Sequence, residues 1–227
     1  MAGRLDIPPL HLERLLPGLQ QQAPLLTAAN MAPRRFMSQI RQVHDALCLS
    51  EAFWGLTPAW LNVLDHAPHC ARAESLDTRP LFREAFASCR SLIPVGGVYL
   101  WQVQPRFKQP YLVTRVDRGP LLLAGLWCRY HTSATEFTDS TALVTVPTNS
   151  LVAPLSDRFP AVIEAADAEL WLDPDTALEE ARALLRPAPL ELLGAFPVSR
   201  RVNDPANQDA ACAHHTGPMR RWSKQER

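Results

Sequence analysis

The chain has 227 residues, 23 basic and 23 acidic side chains, a formal charge of zero and 47% hydrophobic residues. That balance excludes a disordered chain, which combines low hydrophobicity with high net charge, and a strongly basic protein that coats nucleic acid by charge alone. A chain of this length buries roughly 70–75% of its unfolded surface, enough for one sizeable core without disulfides or metals.

In chain order, the first clear element is a helix over residues 80–89 (PLFREAFASC). Pro80 suits a first helical position, and Leu81, Phe82, Ala85, Phe86 and Cys89 recur at helical spacing. Gly96-Gly97 is a turn into an apolar, β-rich segment at 98–103. Residues 111–116, 121–130 and 142–147 also read as strands, with Gly119-Pro120 turning between the first two. Residues 149–155 form a short helix capped by Asn149, or an irregular turn. Residues 176–186 (TALEEARALLR) are the clearest amphipathic helix, with Asp175 as its cap. Strands in the middle and helices in the last third predict an α+β fold. The 21 prolines against 9 glycines interrupt long regular elements and argue against a helical bundle. Residues 1–213 are expected as one domain, and 214–227 (HHTGPMRRWSKQER) as a mobile basic tail with no apolar period.

Charge is uneven along the chain. Residues 1–115 carry 12 basic and 8 acidic side chains, residues 116–213 carry 7 and 14, and the tail carries 4 and 1. The basic residues are 21 Arg and 2 Lys. Arginine forks match phosphate bidentately, although a codon bias accounts for the excess equally well. Five scattered cysteines and no apolar run after Met1 fit reduced thiols in a cytosol. The longest apolar run, at 121–127, is too short for a membrane span. A soluble, cytoplasmic monomer without cofactor is expected. His66, His69 and Cys70 lie close in sequence, as do Cys212, His214 and His215, but their spacing is not that of a metal site and no metal is expected. Glu179-Glu180 reads as the solvated face of a helix.

The informative segments are longer. FWGLTPAW at 53–60 sets aromatic rings beside a glycine and a proline, and ARAES at 71–75 is followed by Arg79, Pro80 and FREAF at 82–86. Aromatic faces interleaved with arginines suit single-stranded nucleic acid, because bases stack on rings while guanidinium groups hold phosphates. The same pattern also reads as Trp54 and Trp60 in a core, with Arg72 paired to Glu74 or Glu84.

These segments resemble the SOS-response-associated peptidase (SRAP) family, proteins that shield abasic sites in single-stranded DNA. The resemblance rests on Gly3-Arg4, Asn30-Met31-Ala32-Pro33, FWGLTPAW at 53–60 and ARAESLDTRPLFREAF at 71–86. It continues through SLIPVGGVYLW at 91–101, LAGLW at 123–127, TVPTNSLVAPLSDRFPAVI at 145–163 and PVSRRVNDPANQ at 197–208. The order is that of the family over residues 1–210. It implies a bifurcated mixed sheet folded into a pseudo-barrel, with peripheral helices and single-stranded or abasic-site DNA as partner, nucleoid-associated when DNA is bound.

Four positions depart from the family. Active members carry an N-terminal cysteine, after methionine removal, whose amine and thiol capture the abasic aldehyde as a thiazolidine. Here that position is Ala2. The family asparagine is Cys70, its glutamate is Leu100, and its histidine is Ser156. Without an aminothiol the ring cannot close, Leu100 cannot move a proton, and Ser156 has no titratable group near neutral pH. The leading expectation is a DNA-binding protein with a degenerate site. A second is an altered enzyme in which the Ala2 amine forms a Schiff base, with Cys70 adding as a thiolate if Arg4 or Arg72 lowers its pKa. A third is a protein-interaction module without DNA binding. By resemblance, Arg4, Asn30, Trp54, Arg72, Glu74 and Arg158 match positions lining the family's DNA groove. Arg79 and Arg83 are assigned to the same groove, with a register that depends on where the helix starts.

Overall fold

The computed structural model describes residues 3–60, 67–133 and 135–221. The elements, in chain order, begin with β1 (Leu5–Ile7), β2 (Gln20–Gln21), β3 (Ala28–Met31), β4 (Phe36–Val43) and β5 (Ala46–Trp54). After β6 (Cys70–Arg72) come α1 (Pro80–Ser88), β7 (Arg90–Val95), β8 (Gly97–Val103), β9 (Lys108–Arg115), β10 (Leu121–His131) and β11 (Phe137–Pro147). The last are β12 (Arg158–Pro160), α2 (Ala168–Leu172), α3 (Leu178–Ala183), β13 (Leu193–Pro197) and β14 (Arg220–Arg221).

These strands build two sheets. One runs β14-β13-β9-β8-β1-β3, the other β12-β11-β10-β7-β4-β5-β2. The second sheet closes on itself: β11 pairs in parallel with β5 at Ser140↔Phe53 and Thr141↔Trp54, so β5, β4, β7, β10 and β11 form a five-stranded barrel. Closing so few strands demands small side chains at tight points. At Gly125 an added Cβ would lie 2.6 Å from Ser91 Oγ across the β10–β7 pair.

Alternation along the barrel strands sorts side chains into two cores. Met37, Trp54, Ile93, Leu123 and Leu143 point inward and merge with Leu5, Val98, Leu100 and Leu193 from the first sheet. Ile40, Leu49, Leu92, Leu126 and Val144 point outward, where Phe82, Phe86 and Trp171 of α1 and α2 cover them. Arg90 clamps those helices. It is 2% exposed and donates to the carbonyls of Phe86 (2.7 Å), Ala87 (2.8 Å), Trp171 (2.6 Å) and Asp173. The guanidinium thereby occupies carbonyls left over at the end of α1 and ties them to α2.

The α+β class and the pseudo-barrel hold, as does the helix starting at Pro80. Three expectations are corrected. The amphipathic helix is shorter than 176–186, and Asp175 does not cap it; Ala177 stands at the N-cap without a side-chain bond. The last third is largely irregular rather than helical, because Pro187, Pro189 and Pro197 break it and β13 follows. Residues 149–155 are a turn, with Asn149 accepting from Val152 N at 3.1 Å. Residues 214–221 are not a mobile tail: His215 bridges Val198, Thr216 N donates to Pro197 O at 2.8 Å, and β14 adds to β13. Met219 fills the space above Gly194, where any Cβ would meet its sulfur at 2.5 Å. Residues 222–227 lie outside the described residues. No helix of the described residues is long and apolar enough to cross a membrane.

Candidate nucleic-acid interface

The site is organised by β11. One edge takes β5 and then, further along, β6, in parallel register with Leu143↔Cys70 and Thr145↔Arg72. The other edge takes β10 and then β12, with Pro147↔Arg158. Cys70, Arg72 and Arg158 are therefore brought together by strand pairing, although they are far apart in sequence.

Arg158 is the fixed point of this cluster. Its side chain is about 10% exposed and bonds Glu74 bidentately, at 3.0 and 2.8 Å. The same guanidinium donates to Thr145 Oγ1 (3.2 Å) and Thr145 O (2.6 Å). The hydrogen bonds from Arg158 hold the Glu74 carboxyl below the ordinary glutamate range. Because Arg158 occupies Glu74, Arg72 makes no ion pair or side-chain hydrogen bond among the described residues. It stands exposed on β6. Arg72 makes no close ion pair with Glu74 or Glu84 among the described residues, although its charge helps to lower the Glu74 pKa.

A second cluster surrounds Arg4. Its guanidinium donates to Asn30 Oδ1 and Val202 O, both at 2.8 Å, and to Asn203 O. Burial lowers its pKa, yet it stays charged at any ordinary pH. Asn30 is completely buried, and its amide donates to the carbonyls of Val202, Asp204 and Asn207. It therefore holds Arg4 and the 202–208 segment in place rather than presenting an atom to a ligand. Trp101 Nε1 donates to Asn203 Oδ1 at 2.7 Å, and Gln208 bonds Asn30 O at 2.9 Å. Sequence reasoning passed over Thr145, Asn203 and Gln208 as site residues; all three lie in quoted motifs, but only the fold shows their partners.

Trp54 is a correction. Its ring is fully buried, T-shaped to His69 at 6.0 Å, and its Nε1 donates to His69 O at 2.9 Å. A buried face cannot stack on a base, so Trp54 shapes the site from beneath; Trp60, 54% exposed, is the ring that is available. Arg79, the N-cap of α1, and Arg83 within it are exposed, with the Arg79 guanidinium 5.9 Å from the Phe82 centroid.

The degenerate positions are equally definite. Leu100 is buried among the apolar side chains between the sheets, and Cys70 packs against that same core. Burial pushes the Cys70 thiol up to about 12, and the nearby Arg158 charge does not offset it. A thiol with that pKa holds almost no thiolate at neutral pH, which is the opposite of the lowered pKa that a nucleophilic Cys70 needs. Ser156 Oγ accepts from Arg158 N at 3.3 Å. Ala2 and His66 lie outside the described residues. No group of three or more His, Cys, Asp or Glu able to hold one metal ion occurs among the described residues.

Comparison with known proteins adds family evidence. The family model for SOS response associated peptidase (SRAP) matches residues 1–205. The abasic site processing protein YoqW of Bacillus subtilis is 28% identical over 78% of this chain and 81% of its own length. YedK of Escherichia coli is 26% identical over 80% and 81% respectively. Among solved structures, a protein from Bacteroides thetaiotaomicron superposes with a TM-score of 0.81 at 21% identity, covering 92% of this chain and 97% of that one.

Proposed function

Since the chain belongs to the SOS response associated peptidase family, we propose that it serves DNA damage handling by binding single-stranded DNA, abasic sites included, without closing the thiazolidine crosslink. The names of its relatives as abasic site processing proteins support the DNA-damage role. The observation that carries the binding reading is Arg72: an exposed guanidinium without an ion pair among the described residues, beside an Arg158–Glu74 pair that fixes its surroundings. Arg79 and Arg83 extend the basic face along α1, and exposed Trp60 offers a stacking surface. The non-covalent reading is supported by the residues at the family's reactive positions. Leu100 is buried and carries no proton, Ser156 is an acceptor for backbone, and Cys70 is a protonated thiol at neutral pH.

The test is fluorescence anisotropy with a single-stranded oligonucleotide across a salt series. Arg72→Ala is expected to weaken binding and to reduce the slope of log K against log salt by about 0.7, the value for one phosphate contact on a single strand. Unchanged affinity and slope would remove this face as the interface. The same oligonucleotide carrying one abasic site, run on a denaturing gel with and without borohydride, checks the covalent part. The expected result is no adduct in either lane; a borohydride-dependent adduct would establish an imine and make the protein an altered enzyme acting through an amine such as that of Ala2.

A further inference from the structure

The outer face of the first sheet carries a cleft, of about 590 Å³, that the Arg158 cluster does not touch and the Arg4 cluster meets only through Gln208. Pro8, Pro9, Ala28 and Ala213 wall it, and His214 and His215 stand at its rim. Asp6 of β1 lines it. The residue is 8% exposed, and its carboxylate accepts no hydrogen bond from any described residue. Burial raises its pKa to about 6, with the Arg118 charge pulling the other way. The Asp6 oxygens are not sealed in the interior but open on the cleft, where a donor group of a ligand can reach them.

The surroundings restrict what could satisfy it. Arg118 borders the cleft, held at a φ of +64° that non-glycine residues rarely adopt, and its guanidinium lies 4.8 Å from the Phe196 centroid. The His215 ring is stacked on the same Phe196 at 5.2 Å. Arg118 and Pro9 also line an adjoining cleft of about 340 Å³, which adds His11 and Arg14. The Arg118 guanidinium on the Asp6 cleft, with Arg14 in the adjoining one, disfavours a cationic ligand. Together they favour one that brings neutral N–H donors to Asp6 and negative charge to the arginines. An ionised carboxylate is acceptor-only, with two oxygens side by side, so the best match is a pair of parallel N–H groups on a flat ring. Among the nucleobases guanine alone carries an adjacent imino and amino N–H on its pairing edge.

We propose that this cleft is a guanine-nucleotide site, with the base edge on Asp6, the ring against His215 and the phosphate on Arg118 and Arg14. Gln208 lines the cleft and also bonds Asn30 O, so the pocket adjoins the Arg4 cluster. The nucleotide is either a guanine of the bound strand or a free mononucleotide. The inference rests on the DNA-binding reading only for the first of these sources.

The test is calorimetric titration of the full chain with dGMP, dCMP, dAMP and dTMP at pH 7.5. The expected result is dGMP binding at least tenfold tighter than the other three. Asp6→Asn, close to isosteric, is expected to weaken dGMP at least tenfold, and Arg118→Ala, at an exposed turn, about fivefold for all nucleotides that bind. In parallel, oligo-dT strands with and without one guanine are compared. A guanine preference lost in Asp6→Asn, with oligo-dT affinity unchanged, assigns the site to the bound strand. Selective dGMP binding with no guanine preference in strands assigns it to a free nucleotide. Four equal or undetectable mononucleotide affinities together with no guanine preference overturn the proposal, as does full dGMP affinity in Asp6→Asn. Because the mononucleotide arm does not involve Arg72, failure of the DNA interface and failure of this pocket are read separately.

Discussion

Asp6 shows how a single side chain can set a protein's response to pH. Its pKa is about 6 in the folded chain against 3.8 for the free side chain. Between those values the native state holds more protons than the unfolded state, so stability falls as pH rises through the window. The full difference is on the order of 3 kcal/mol. In urea titrations from pH 4 to pH 8, Asp6→Asn is expected to lose less stability than the parent, and to be the more stable of the two at pH 8. Equal slopes for both would mean that the Asp6 carboxyl is solvated. Cys70 is the opposite lesson at this scale. Its place in the motif suggested a reactive thiol, whereas its burial against the inter-sheet core raises the thiol pKa. No feature of sequence spacing carries that information.

Among the elements, α1 and α2 owe their positions to Arg90 more than to their own lengths. A helix of 9 residues and one of 5 are too short to be stable alone. Replacing Arg90 with Met keeps much of the volume but strips four carbonyls of their donor. The expected cost is about 3 kcal/mol in chemical denaturation, with loss of near-ultraviolet dichroism from Trp171. A change below about 1 kcal/mol would show that water replaces the guanidinium. The α1 start was legible because Pro80 and the Phe82, Ala85, Phe86 spacing are local signals. The strands 121–130 and 142–147 were legible for the same reason, as apolar runs between turn residues. β4 and β5 were not, because their inner and outer faces are both buried over most of their length and Gln39, Ser50 and Arg41 blur the alternation. The site was legible as a set of motifs. What those motifs lacked was the pairing geometry: Arg158, not Arg72, takes Glu74, and Trp54 turns inward.

At the scale of the whole molecule, the end of the described chain guards a sheet edge. β14 is only two residues long, yet it covers β13, and Arg220 rests 4.8 Å from the Tyr111 ring. An uncovered strand edge is a template for another chain. Deleting residues 214–227 is expected to lower the melting temperature by several degrees and to produce concentration-dependent self-association in light scattering. A truncated chain that stays monomeric with an unchanged melting temperature would show that β13 needs no cover. The truncation also removes His214 and His215 from the Asp6 cleft, so dGMP affinity should fall with it.

The parallel pairing of β5 with β11 joins residues 53–54 to residues 140–141, across nearly ninety intervening positions. Contacts so distant in sequence form only after the chain has borne the entropy of closing a long loop. The antiparallel hairpins β4–β5 and β10–β11 can assemble early from neighbours, whereas the barrel exists only once its two ends meet. Arg72 likewise gains its position only when β6 meets β11 across a comparable span, whereas Arg158 on β12 pairs with β11 locally. The placement of Arg72 is therefore a late product of folding, and a partly folded chain carries this arginine without its setting.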